Sequence, residues 1–166
     1  MNYTYSFTGH RPSKLWGYNY NHPSYIKLKE YLKTHMFASH PYNIITGMAL
    51  GFDQIVALAA IEYKLLNPNS IFIEAAIPCR DHPCKWNFQS IKLYNKILSK
   101  CDKVTLVTDK PYSPYLMQVR NQYMIDNSDC LVALWNGDKS GGTYNAIKYA
   151  KYYQKKIIYI DPILFQ

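Results

Sequence analysis

Apolar positions recur along this chain with a period that switches repeatedly between two and about 3.6 residues. Tyr3–Thr8 reads as a short strand ending at Gly9. After a polar loop, Pro23 opens a helix whose apolar residues Tyr25, Leu28, Leu32 and Met36 keep a three-to-four spacing. Tyr42–Thr46 is a second strand, ending at Gly47, and Phe52, Ile55, Val56, Ala59, Tyr63 and Leu66 form the stripe of a second helix that Asn67-Pro68 stops. Ser70–Ile77 is a third strand, halted by Pro78, and Trp86–Ser99 a helix carrying Ile91, Tyr94, Ile97 and Leu98. Lys103–Thr108, Asp129–Trp135 and Lys156–Ile160 complete the strands, with helices at Tyr115–Asn127 and Gly142–Gln154 between them.

Strand and helix alternate throughout, which predicts an α/β three-layer sandwich around a mainly parallel sheet of six strands with right-handed crossovers. Cys130–Trp135 is apolar at nearly every position, as a strand covered by helices on both faces must be. Pattern alone leaves strand order open. In such sheets the ligand lies beyond the carboxyl ends of the strands, and the glycine-bearing turns of this chain fall at those ends.

Composition bounds the picture. The chain has 166 residues, 48% of them apolar, with no linker, repeat or low-complexity segment, so one domain spanning 1–166 is expected. Area scaling for such a chain gives about 8,500 Å² exposed when folded, a burial of roughly 70% that needs no disulfide staples. No apolar run approaches a membrane span, and Met1-Asn-Tyr-Thr-Tyr-Ser6 has neither a basic nor an apolar signal region, so a cytoplasmic protein is expected. Cys79, Cys84, Cys101 and Cys130 lack paired spacing and read as free thiols. Cys79, His82 and Cys84 would give three metal ligands without a fourth nearby, so neither a metal nor a resident cofactor is expected. With 19 Lys+Arg against 11 Asp+Glu, the net charge of +8 favours an anionic partner. Much of that charge is scattered, and Lys27, Lys29 and Lys33 read as solvated helix positions.

Four segments carry candidate chemistry. In Thr8-Gly9-His10-Arg11-Pro12, the glycine permits a sharp turn, and His10 and Arg11 project over the sheet edge. Thr46-Gly47-Met48-Ala49-Leu50-Gly51-Phe52-Asp53 links a strand to a helix with two glycines four apart, suiting approach of backbone N–H groups to an anion. It has neither the Gly-Lys-Ser/Thr ending of a Walker loop nor the GxGxxG spacing. Asp53 either complements the helix dipole or accepts from ribose hydroxyls. Ser140-Gly141-Gly142-Thr143 places adjacent glycines and a hydroxyl at a helix start, an oxyanion cradle. Arg120-Asn121 lies on the preceding helix, where Arg120 either pairs bidentately with an anion in that cradle or is a surface cation. Trp86, Tyr112 and Tyr115 are candidate stacking surfaces, or packing residues in a chain with 17 Tyr.

In order and over nearly the whole chain, these four motifs resemble those of the SLOG superfamily. That Rossmann-like group contains the lonely-guy phosphoribohydrolases and DNA-processing protein A, and the likeness is greatest to its YpsA-like branch. The resemblance implies an ADP-ribose-type, cyclic or other nucleotide-derived ligand, roles in stress or phage–host conflict, and homo-oligomers. One departure bears on catalysis. Lonely-guy enzymes carry Met-x-Glu-Arg-Lys and a Glu three residues past their Gly-Thr pair. Here Val119 and Asn121 replace the Glu and Lys, and Ala146 stands at the second Glu position. Asp53 and Glu74 are the remaining carboxylates to consider, without a spacing that designates either.

The expectation is therefore a binder that sequesters or senses a nucleotide-derived small molecule, with no catalytic residue assigned. Arg11, Arg120 and Gly141-Gly142-Thr143 would hold phosphates, with Thr8, Gly9, His10, Asn121 and Ser140 around them. Thr46, Gly47, Met48 and Gly51 would give backbone contacts, and Asp53 would take ribose hydroxyls. The alternative is an N-glycosidase of phosphoribohydrolase type. A single-stranded DNA binder ranks last, because no stretch of the sequence reads as a basic-aromatic tract.

Overall fold

Tyr5 and Phe7 point to one face of the sheet while Thr4, Ser6 and Thr8 point to the other, so β1 (Tyr3–Gly9) already divides the molecule into two layers. The computed structural model describes residues 3–39 and 42–166. Among the described residues, β1 is followed by β2 (Tyr42–Thr46), β3 (Ile71–Ile77), β4 (Lys103–Leu106), β5 (Cys130–Leu134) and β6 (Lys156–Ile160). They form one sheet in the order β4-β3-β2-β1-β5-β6 with every pairing parallel. The α/β sandwich read from the alternation is thus observed, and the order that the pattern leaves open is supplied.

The intervening helices are α1 (Pro23–Tyr31), α2 (Phe52–Leu66), α3 (Phe88–Leu98), α4 (Tyr115–Asp126) and α5 (Gly141–Tyr152). Helices α1, α2 and α3 cover one face, where Phe7, Ile44, Ile73, Val132 and Leu134 meet Tyr25, Leu28, Phe52, Ile55 and Val56. Helices α4 and α5 cover the other, where Leu131 and Ala133 meet Ile125, Ala146, Ile147 and Ala150. β5 is buried at every position, because it faces a core on each side. The exposed surface is 8558 Å², as the scaling anticipates. No helix among the described residues is long and apolar enough to cross a membrane.

Four local readings change. The first helix becomes a π-helical segment over Leu32–Phe37, whose wider turn puts Phe37 fully in the core while Met36 packs against it partly buried. Leu66, assigned to an apolar stripe, is 84% exposed, since the last turn of α2 runs past the sheet. The third helix starts at Phe88, because the Asn87 side chain accepts from Ser90 N at 2.9 Å and caps it there, leaving Trp86 in the preceding turns. Lys29 and Lys33 are half-buried rather than merely solvated, and both pair with Glu62 (2.5 and 3.1 Å), tying α1 to α2.

The chain builds β1 to β4 outward on one side and then crosses to β5 and β6 on the other. Adjacent strands β1 and β5 are therefore where the winding reverses, and the loops leaving their carboxyl ends diverge into a crevice.

Candidate functional site

A cavity of about 280 Å³ occupies that crevice. Thr8, Gly9, His10 and Arg11 enter it from β1, Asp53 from α2, Arg120 and Asn121 from α4, and Ser140 through Thr143 from the start of α5. Four segments far apart in sequence are thereby brought to one site. Ser13, Lys14, Ala49 and Met117 complete the wall.

The α5 side is an open cradle. Gly141 has φ 82°, and no side chain caps the helix, so its first N–H groups have no intrahelical acceptor. Apart from its chain neighbours and the backbone of its own helix, no atom of the described residues lies within 4 Å of where a Cβ on Gly142 would be. Arg11, which also lines the cavity, is exposed, with no hydrogen bond or ion pair for its guanidinium among the described residues. The loop before α5 is held by Asp138. Its Oδ2 receives Lys14 Nζ at 2.6 Å, and its Oδ1 accepts from Ser140 N and Oγ (3.0 and 2.7 Å). Lys14 and these hydrogen bonds hold the Asp138 carboxyl down at about 2. His10 is buried, its Nε2 2.8 Å from Asn136 Oδ1, and burial pushes its pKa below the ordinary value.

The floor is an ion pair. Asp53 and Arg120 are 5% and 3% exposed, with Arg120 Nη1 3.8 Å from Asp53 Oδ2. That same Oδ2 accepts from Ala49 N at 3.2 Å. Burial raises the Asp53 pKa, while the Arg120 and Arg11 charges pull it down. Arg120 divides its fork inside the protein: Nη1 donates to Gly47 O and Nε to Asn121 Oδ1. Arg120 Nη2 and Asp53 Oδ1 take no hydrogen bond among the described residues, yet no fully buried side-chain polar atom there is without a partner. Both atoms therefore reach solvent, and both residues line the cavity.

Thr46, Gly47, Met48 and Gly51 lie beneath this floor and do not line the cavity. Thr46 Oγ1 donates to Asp53 O at 2.7 Å, fixing the first turn of α2. A Cβ on Gly47 would overlap the Arg120 guanidinium, so this glycine makes room for the arginine. Gly51, at φ 95°, would put a Cβ 2.6 Å from His10 O, and a Cβ on Gly9 would fall 2.7 Å from Phe52 Cβ. The turns after β1 and β2 thus pack against each other. Tyr20, which no motif singles out, pins them: its hydroxyl accepts from Gly51 N (2.7 Å) and donates to Gln54 Oε1 (3.0 Å).

The remaining candidates lie elsewhere. Trp86 packs edge-on against His82 and Tyr94 with centroids 5.0 and 5.3 Å apart, and Tyr112 lies under Lys85 Nζ, neither lining the cavity. Tyr115 is also outside it and 68% exposed. Glu74 sits mid-strand in β3, accepting from Tyr123 and Thr105 hydroxyls at 2.7 Å each, so Asp53 is the one carboxylate lining the cavity among the described residues. Ala146 is fully buried against the sheet. His82 is buried with Nδ1 3.3 Å from Tyr94 OH, and burial, Arg120 and Arg11 push its pKa down to about 3. No group of three His, Cys, Asp or Glu among the described residues is placed to hold a metal. Sequence reasoning missed Lys14, Ser13 and Tyr20, which sit in a polar loop without a recognisable spacing.

Comparison with known proteins places this geometry. A family model described as the YspA SLOG family, YpsA, matches residues 5–165. The uncharacterized SPbeta prophage-derived protein YoqJ of Bacillus subtilis is 33% identical over 144 residues, spanning 78% of this chain and 83% of that protein. A UPF0398 protein of Halalkalibacterium halodurans is 26% identical over 156 residues, spanning 91% and 82%. Among solved structures, DNA processing protein A from Streptococcus pneumoniae superposes with a TM-score of 0.66 at 13% identity, covering 95% of this chain and 50% of that one. The Helicobacter pylori protein of the same name, described in a single-stranded DNA binding mode, gives 0.61 at 20%, covering 95% and 64%. This chain thus spans between half and two thirds of those two proteins, and the likeness to them is one of fold. With the family model matching residues 5–165, the chain belongs to the YpsA-like SLOG family.

Proposed function

We propose that this protein binds, and thereby sequesters or senses, a nucleotide-derived small molecule of the ADP-ribose or cyclic-nucleotide type. The observation that carries the reading is the pairing, across one cavity of about 280 Å³, of an uncapped α5 N-terminus and a partnerless Arg11 with a solvent-reaching carboxylate oxygen of Asp53. The first two suit a phosphate, by helix dipole and by bidentate charge-assisted bonds. The Asp53 oxygen suits a sugar hydroxyl. Thr8, Asn121 and Thr143 supply further polar groups in between.

Binding without turnover is supported by the donor set. Cleaving an N-glycosidic bond needs a group free to activate water or to stabilise an oxocarbenium ion. Asp53, the one carboxylate lining the cavity among the described residues, is committed on Oδ2 to Arg120 and Ala49. The prophage-derived relative supports a setting in phage–host conflict. The test is to denature protein purified from its own host and identify the released molecule by mass spectrometry, then add that molecule back to stripped protein. An intact nucleotide that raises Tm supports the reading; its conversion to free base at a catalytic rate moves the protein to the glycosidase class. No nucleotide released, and no Tm shift with a nucleotide panel up to millimolar, refutes it.

A further inference from the structure

Toward the amino ends of its strands, the sheet carries polar side chains where its architecture calls for apolar ones. Strands of a parallel sheet covered on both faces run apolar, yet β2 and β3 place Asn43 and Glu74 among apolar residues. The register aligns Thr4, Asn43 and Phe72 in one cross-strand row and Ile45, Glu74 and Lys103 in the next, on the face that α4 covers. Three helices cover the opposite face and two this one, and beside the last turn of α4 the rows stay open as a pocket of about 300 Å³. It shares no lining residue with the nucleotide cavity. Phe72 is 44% exposed there, whereas Glu74 is only 8% exposed. Three donors converge on one oxygen of Glu74: the Tyr123 and Thr105 hydroxyls at 2.7 Å each and Lys103 Nζ at 3.3 Å all meet Oε1. Oε2 has no hydrogen bond or ion pair among the described residues, and no fully buried side-chain polar atom there lacks a partner, so Oε2 reaches the pocket. The side chains of Thr4 and Asn43, and Asn127 Oδ1, are likewise without a hydrogen bond among the described residues.

We propose that this pocket is a second binding site, which takes a free α-amino acid as its zwitterion, with the ammonium on Glu74 Oε2 and the carboxylate on Lys103 Nζ. Glu74 and Lys103 are the two charged residues lining it among the described residues, one of each sign. A ligand with only a positive charge would be repelled by Lys103, and one with only a negative charge by Glu74; a zwitterion meets both. Lys103 is free to turn to that carboxylate. Its side chain is 51% exposed, and its 3.3 Å contact is longer than the about 2.7–2.9 Å of a strong charge-assisted bond. The ammonium in turn brings donors to the second oxygen of a buried carboxylate, which is costly to leave unpaired. Asn43, Asn127 and Thr4 offer further polar contacts, and the Phe72 ring a surface for the side chain of the amino acid. The volume lies at the low end of small-molecule sites, which start at about 300 Å³. This site stands or falls separately from the reading of the nucleotide cavity.

The experiment is isothermal titration calorimetry with the common L-amino acids, added one at a time. Expected is binding of at least one of them, while its decarboxylated amine and its deaminated acid each bind tenfold or more weakly, having lost one charged contact. Lys103→Met keeps the alkyl stem and lowers affinity for that amino acid tenfold or more. Glu74→Gln, which keeps an acceptor for Tyr123 and Thr105, lowers it at least as much, and Phe72→Ala lowers it severalfold. Thermal melts show whether each variant is folded; should Glu74→Gln not fold, the half-exposed Lys103 decides alone. The proposal is overturned if no amino acid binds wild type at millimolar concentration, or if the amine or the acid alone binds as tightly as the amino acid. A folded Lys103→Met or Glu74→Gln that binds as tightly as wild type also overturns it.

Discussion

Two glycine turns meet at the crevice and do opposite work. In the turn between β2 and α2, Gly47 leaves space that the Arg120 guanidinium fills, and Gly51 adopts φ 95° beneath His10 and Arg11. In the turn between β5 and α5, a Cβ on Gly142 would meet no atom of the described residues within 4 Å beyond its chain neighbours and its own helix's backbone, and the helix start is uncapped. One turn uses its missing side chains to bring protein against protein; the other leaves open space. Glycine at a strand end therefore marks close approach, and the neighbours decide whether the partner is the chain itself or a ligand.

The sharpest way to break this contrast is at the buried pair. Arg120→Ala leaves Asp53 buried with its charge uncompensated and Gly47 O without its donor, so urea unfolding should register a loss of about 3–5 kcal/mol. A variant as stable as wild type would mean that the arginine is not part of the floor. Gly47→Ala forces a Cβ into the guanidinium and should cost about 1–3 kcal/mol, seen as a drop of several degrees in Tm.

A third prediction tests the packing next to that floor through pH. His82 titrates near 3 in the folded protein against 6.5 for a free imidazole. The unfolded chain thus binds the extra proton between those values, so stability is intact above about 6.5 and falls as pH drops through the window. The slope is about 1.4 kcal/mol per pH unit for one proton, and denaturation midpoints measured from pH 7 to 4.5 should follow it. His82→Phe should flatten that dependence; an unchanged slope would assign the proton elsewhere. The smallest effect belongs to the open turn, where Gly142→Ala should change unfolding free energy by no more than about 0.5 kcal/mol.

Much of this architecture is legible in the chain because burial on two faces leaves continuous apolar runs, as in Cys130–Leu134, and burial on one leaves spaced stripes, as in α3. Strand order is not legible, since Phe7 would read the same beside any partner strand. The π-helical turn that adds Phe37 to the core beside Met36 goes with packing against Phe7 and Tyr63, which no local spacing reveals. At the site, Thr8–Arg11 and Ser140–Thr143 could be placed together because loops after parallel strands converge. What each glycine faces could not: the Gly47–Arg120 contact joins residues 73 apart in sequence. Tyr20 acts through two tertiary hydrogen bonds and Lys14 through one ion pair, and nothing in their flanking residues announces it.

The central claim is that the α5 turn is kept open for a phosphate while the β2 turn is closed for stability. Thermal shift with ADP-ribose, cyclic nucleotides and the molecule released from the host protein, on wild type and on Gly142→Val, tests it directly. The account predicts equal Tm for the two proteins without ligand, a rise of several degrees for wild type at a hundredfold excess over Kd (about 2.7 kcal/mol), and little or none for the variant. Equal ligand-induced shifts in both proteins, or a variant that melts well below wild type before any ligand is added, would contradict it.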